Sequence, residues 1–238
     1  MATEGNLKST KEIIIDEVLE AVGEHTLDTP LRRGPSAIMV GLNKECPRWV
    51  PGSVIKWVAL KEGFKTDADA AYAANQLHLA CEKWNELNIG VTFEWVTKLQ
   101  DASFALCHGG DNGSVLASAF FPNGNDLNMM LVYNAAFSMK LWSDNMWKVF
   151  THELGHVLGL RHEFALDINP ETGAEFEAFG AVRLGPRNPL SVMAYRGTPP
   201  EFQEDDVKST RAFYALNYND KRNPPMVGLM EVMDYEPI

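Results

Sequence analysis

Three of the chain's six histidines fall within eleven residues, in the segment Thr151-His-Glu-Leu-Gly-His-Val-Leu-Gly-Leu-Arg-His-Glu163. His152 and His156 are four apart, so on a helix their imidazoles leave the same face one turn apart. A third histidine at position 162 cannot share that face. Ten residues at about 100° each would leave it roughly 80° off the face of His152 and about 15 Å further along the axis. The chain must therefore stop being helical and turn back. Gly159 is where it can, because glycine tolerates the left-handed conformation that ends a helix and reverses its direction.

Two nitrogen ligands one helical turn apart, joined by a third returning on a turn, suit a tetrahedral zinc. One catalytic Zn2+ is expected, held by His152, His156 and His162, with its fourth position open to water. Glu153 is rotated about 100° from His152, which puts it beside the metal and not on it. A carboxylate there can take a proton from bound water. The plain alternative is an ordinary helix that happens to carry histidines. A structural zinc domain would show four closed ligands, often cysteines, and no fourth is evident. A silent zinc-binding homologue acting as an interaction module is a further alternative, but such proteins usually lose the general base that this chain keeps.

Around this segment the pattern alternates between strand and helix. Ser53 to Leu60 reads as a first strand and Asp67 to Leu87 as a long helix with Asp67 or Asp69 near its start. Val91 to Val96, Ser103 to Cys107, Val115 to Phe121 and Met129 to Tyr133 read as short strands between Gly- and Asn-rich turns. The histidine helix is expected to begin at Ser143 or Asp144, each a fair N-cap. A loop of about thirty residues follows Gly159, long enough to suggest function. Glu204 to Leu216 reads as the last helix, and the proline- and methionine-rich tail beyond Asn217 is expected to wrap the surface. Residues 1–47 read differently, with Ile13, Ile14, Val18, Leu19 and Val22 at helical spacing and a break at Thr29-Pro30 and Arg32-Arg33-Gly34-Pro35.

A formal net charge of -11 and a pI near 5.0 give a nucleic-acid role little support, so no nucleic-acid partner is expected. Charges interrupt every apolar run, so no membrane partner is expected either. The start shows no signal-peptide pattern, and three cysteines are too few for a disulfide framework. On residues alone that favours a cytoplasmic, reducing compartment. The chain is expected to act as a monomer.

The histidine segment resembles the extended zinc motif of the metzincin metallopeptidases, HExxHxxGxxH, at every specified position. Glu163 directly after the third histidine makes it most similar to the astacin-like branch and related microbial enzymes. The resemblance implies an α+β, zincin-like (metzincin) catalytic domain with a twisted mixed β-sheet and an active-site helix. It also implies a C-terminal subdomain that carries the Met-turn and the last helix. Ser191-Val-Met-Ala-Tyr195 fits the methionine-containing turn, with Met193 as an apolar floor beneath the zinc. Tyr195 matches the tyrosine that the family places beside the metal, where its hydroxyl would help hold an oxyanion. The implied activity is that of a zinc metalloendopeptidase acting on a protein or peptide substrate, with Glu153 and Tyr195 as catalytic residues. Family analogy also favours secretion.

Residues 48–238 are read on this basis as the catalytic domain and 1–47 as an N-terminal extension and candidate pro-segment. Cys46 is a candidate latency ligand in the manner of a matrixin cysteine switch, and Asp28 could serve in astacin style. Arg32-Arg33 would be a convenient cleavage site, with Glu163 receiving the new N-terminus. Val115 to Pro122 resembles the matrixin stretch that gives a histidine to a second, structural zinc, but Ser118 stands there. His108 and Asp111 alone do not make that site, so a second zinc is not expected. His25 and His78 read as ordinary residues. Arg183 and Arg187 in the long loop suggest a preference for an acidic residue just after the scissile bond.

Overall fold

Four short runs, Val54–Ala59 (β3), Thr92–Trp95 (β4), Phe104–His108 (β5) and Asn128–Val132 (β7), pair side by side in the computed structural model. It describes residues 38–42, 44–177, 180–185, 187–219 and 222–237. These four strands are parallel in the order β4-β3-β5-β7, and Ala117–Ser118 (β6) ends the row antiparallel to β7. All of β7 is buried, as a strand covered on both faces must be. Parallel neighbours need a crossover, and the helix Asp67–Glu86 (α1) supplies it between β3 and β4.

The Thr66 hydroxyl caps α1 by accepting the Asp69 N–H at 3.1 Å, and Asp67 and Asp69 sit in its first turn, where the helix dipole favours negative charge. Its buried side is mostly alanine, and small side chains let the helix Met146–Val157 (α4) approach closely. Trp84 fixes the pair by donating its indole N–H to the Thr151 carbonyl at 2.9 Å.

The histidine helix α4 starts later than Ser143 or Asp144. Two short helices precede it, Asn134–Ser138 (α2) and Lys140–Ser143 (α3). Ser143 ends α3 and its hydroxyl bonds back to the Lys140 carbonyl at 3.2 Å, so it is occupied within the preceding helix. The other end of α4 is buried, where orphaned carbonyls would be costly. The indole of Trp49 donates to Val157 O at 2.7 Å and the Tyr214 hydroxyl to Leu158 O at 3.0 Å. Two amphipathic aromatics thus satisfy the helix end and pin it in place.

Two small sheets complete the fold. Ile38–Val40 (β1) lies between Leu160–Arg161 (β8) and Val182–Leu184 (β9), antiparallel to both. Glu45–Trp49 (β2) pairs in parallel with Met230–Tyr235 (β11), which turns back on Met226–Val227 (β10). The last helix is Glu204–Tyr214 (α5). The long loop therefore contains strands, and the tail beyond Asn217 enters a sheet where a surface wrap was expected. Among the described residues no helix is long and apolar enough to cross a membrane.

The boundary expected between residues 47 and 48 falls inside β2. Met39, Val40 and Cys46 are fully buried, so residues 38–47 belong to the packed unit. Residues 1–37, including the expected helix, His25, Asp28 and Arg32-Arg33, lie outside the described residues. Burial of Met39 and Val40 alone contributes about 3–6 kcal/mol, comparable to the 5–15 kcal/mol that holds a typical domain together. A chain starting at residue 48 should lose cooperative thermal unfolding, whereas one starting at 38 keeps every described strand and should melt sharply. Scanning calorimetry distinguishes the two.

Candidate metal centre

Helix α4 delivers His152 and His156 one turn apart, with Glu153 next to the first, and then stops. Gly159 has φ +90° and gives its N–H to the His156 carbonyl at 2.8 Å. A Cβ there would collide with the Pro47 carbonyl oxygen in β2, so the turn needs glycine for its conformation and for its space. The chain then forms β8 against β1, and His162 returns to the flank of the helix as the spacing requires.

The three imidazoles converge. A nitrogen from each lies within 4.8 Å of the others, and all three residues are buried. Each ring is oriented from its Nδ1 side. His152 Nδ1 meets the Val192 carbonyl at 2.8 Å, His156 Nδ1 meets the Leu160 carbonyl at 2.7 Å, and His162 Nδ1 meets the Glu177 carboxylate. Carbonyls and carboxylates only accept, so Nδ1 is the protonated nitrogen in each ring and the Nε2 lone pairs face inward. Burial first, then the neighbouring His162 and His152, hold His156 well below the usual histidine pKa, which keeps it in the neutral form that binds metal.

The donor set fits zinc. Nε2 of His156 and Nε2 of His162 are 3.0 Å apart. Two inward lone pairs that close repel one another, and a cation shared between them turns the repulsion into two bonds. Three imidazole nitrogens gathered in one buried cluster form the ligand pattern of catalytic zinc.

Glu153 is only 1% exposed and, with His152, lines a cavity of about 180 Å³. The walls are largely apolar and include Leu116, Met139, Trp142, Val149 and Pro200. Tyr195 lies on the same rim, its hydroxyl 2.6 Å from His162 Nε2. Met193 is fully buried, and its Sδ packs so closely on Gly155 that a Cβ there would collide with it. The glycine between the first two histidines is thus the seat for Met193, a role that the sequence reading missed.

Asp206 was also missed. Its carboxylate accepts the N–H groups of Val192 at 2.8 Å and Gln203 at 2.9 Å, and the Ser191 hydroxyl bonds to it as well. Burial raises its pKa while these hydrogen bonds oppose the shift. The same residue completes a capping box with Gln203, so α5 starts where the turn Ser191–Met193 is held. The relay runs from Asp206 through the backbone N–H and carbonyl of Val192 to His152 Nδ1. Glu163 takes part from the other side, giving its N–H to Met193 O and accepting the Asn188 N–H, both at 3.1 Å.

Other expected residues stand elsewhere. Cys46, the candidate latency ligand, is fully buried in β2 among core side chains and is not one of the groups that converge with the histidines. Burial, followed by the Glu45 charge, pushes its thiol pKa up to about 12, the opposite of what a zinc-seeking thiolate needs. Ser118 bonds to the Tyr133 hydroxyl at 3.0 Å. His108 accepts the Gly110 N–H on Nδ1 and packs near Phe64 and Phe137. His78 is on the exposed side of α1, near Trp95. Arg187 pairs with Asp167 at 3.1 Å, and neither it nor Arg183 lines the cavity.

No curated protein matches this chain. Residues 58–206 match the reprolysin-type model of metallo-peptidase family M12. That span is 149 of 238 residues (206 − 58 + 1), more than half of the chain, and it contains all three histidines, Glu153, Met193 and Tyr195. The mixed sheet and the buried histidine cluster are what a zinc peptidase domain of this kind requires, and the chain belongs to metallo-peptidase family M12.

Proposed function

We propose that the chain hydrolyses peptide bonds within polypeptides, with one zinc held by His152, His156 and His162 and with Glu153 as the general base. The observation that carries this reading is the buried convergence of His152, His156 and His162, with Glu153 next to His152 and both lining the cavity. Zinc, when bound, polarises the scissile carbonyl and lowers the pKa of the attacking water toward about 7. Glu153 accepts the proton of that water and hands it to the leaving amine. The Tyr195 hydroxyl donates toward the oxygen on which negative charge develops. Glu163 beside the third ligand and Tyr195 on the rim support the astacin-like branch within the family.

Substrate choice follows from the cavity. Since Glu153 protonates the leaving amine, the residue carrying that amine lies on the Glu153 side, where the apolar walls are. Ser114 and Leu116, which lead into the end strand β6, also line this cavity, so an extended substrate can lie along β6 and drop one side chain into it. This reading replaces the acidic preference expected from Arg183 and Arg187.

A peptide library incubated with the zinc-loaded protein should be cut before large apolar residues, with leucine favoured over alanine about 10-fold or more. Equal cleavage before aspartate would contradict the cavity reading, and an untouched library would contradict the peptidase.

A further inference from the structure

His162 is the ligand that the helix cannot supply, and its support differs in kind from that of its partners. His152 and His156 give their Nδ1–H to backbone carbonyls, which are neutral dipoles. His162 gives its own to the carboxylate of Glu177, a full charge from one particular side chain fifteen residues away. The ring is also held on its face by Phe164, with 5.0 Å between centroids and 6° between planes.

Glu177 is itself held. Its Oε2 receives Nε and Nη2 of Arg161, each at 3.0 Å. Its backbone N–H is bonded to Ala165 O at 2.9 Å. Arg161 sends Nη1 to the Gly41 carbonyl at 3.0 Å, at the end of β1. Gly41 has φ +101°, and a Cβ on it would collide with the Gly180 carbonyl, just past Glu177 in the chain. Arg161 is 9% exposed and Glu177 20%, so this arrangement is largely shielded from water, where a charge pair retains directional force. Arg161 precedes the ligand by one residue. Ligand, carboxylate and clamp thus come from β8 and the long loop, and the fold brings them together.

Resting on the zinc reading of the same centre, we propose that Glu177 is the positioning residue of the third metal ligand, with Arg161 as its clamp. The carboxylate holds His162 with Nδ1 protonated, turns Nε2 toward the metal and makes that nitrogen a stronger donor. Glu177 touches neither substrate nor the reacting water. Its effect reaches the reaction only through the metal.

The test uses the full chain as parent, Glu177→Gln and Glu177→Ala. Zinc affinity is measured against a coloured chelator, and the absorption spectrum is recorded with cobalt in place of zinc. Loss of such a supporting partner lowers metal affinity by about 10–100-fold. Glu177→Ala should fall in that range with shifted cobalt bands. Glu177→Gln, whose amide oxygen still accepts from Nδ1, should fall by less than about 10-fold. Its cobalt bands should move in the same direction.

A Glu177→Ala protein that melts lower yet keeps the parent's zinc affinity and cobalt spectrum would show a structural tie only and overturn the proposal. Should the alanine variant not fold, Glu177→Gln decides, and a cobalt spectrum identical to the parent's would overturn it equally. A parent that binds no zinc is a different failure, because it removes the metal centre itself.

Discussion

Replacing Glu153 by alanine is expected to lower peptide hydrolysis by about 10²–10⁴-fold, the range for a positioned general base, while zinc still binds. The separation of the two effects comes from helix geometry. The histidines on either side of Glu153 face the cluster, but Glu153 is not one of the three groups that converge on it. It lies 1% exposed at the wall that His152 shares with the cavity. Removing it deletes the proton carrier and leaves the ligands and their Nδ1 partners intact. Glu153→Gln should behave alike, since the amide keeps the volume and loses the basicity. Hydrolysis rates and bound zinc measured on the same preparations check this. Normal turnover by the alanine variant would refute the mechanism.

The largest effect on the fold is expected at Gly159. An alanine there would adopt a φ near +90°, outside the region that side chains other than glycine's accept, at about 1–3 kcal/mol. Its Cβ would also press on the Pro47 carbonyl. Pro47 is paired with Met233 between β2 and β11, so that backbone gives way only by shifting both strands. Such overpacking adds about 1–3 kcal/mol. At roughly 2–4 °C per kcal/mol for a chain of this size, Gly159→Ala should melt about 5–20 °C lower.

Zinc binding should weaken with the loss of stability, because the turn carries the Leu160 carbonyl that orients His156 and leads directly to His162. Gly155→Ala is the milder comparison, since the atom in its way is the end of a flexible methionine. A Gly159→Ala protein with the parent's melting point would show that the turn is not under this constraint.

The parts of this fold that could be read in the sequence are those decided by nearby residues. The ligand spacing, the stop at Gly159 and the helix Asp67–Glu86 depend on contacts within a few turns, and each appeared where expected to within a few residues. The start of α4 did not, because two hydroxyl or carboxyl caps in a row look equivalent until α3 claims Ser143. Strand β11 escaped notice because its alternation is weak and its partner, β2, lies about 185 residues earlier.

The supporting residues of the metal centre were hidden for the same reason. Asp206 looked like an ordinary acidic residue in the first turn of a helix, and only the fold shows that it faces the Val192 peptide. Glu177 sits in a loop with no periodicity to mark it. The one available hint was the length of that loop, which suggested a function but pointed to its arginines. Cys46 shows the converse error, since a cysteine just ahead of the expected catalytic domain invites a latency role that its burial in β2 opposes.

The most direct test of the central claim is to strip the full chain with a chelator and follow hydrolysis of a fluorogenic peptide as zinc is titrated back. No cleavage is expected at the start, then a rise in proportion to added zinc and a plateau at one ion per chain. Magnesium or calcium should not replace zinc, because three inward imidazole nitrogens suit neither. Undiminished cleavage by the stripped protein, or one zinc bound per chain with no cleavage, would contradict that claim.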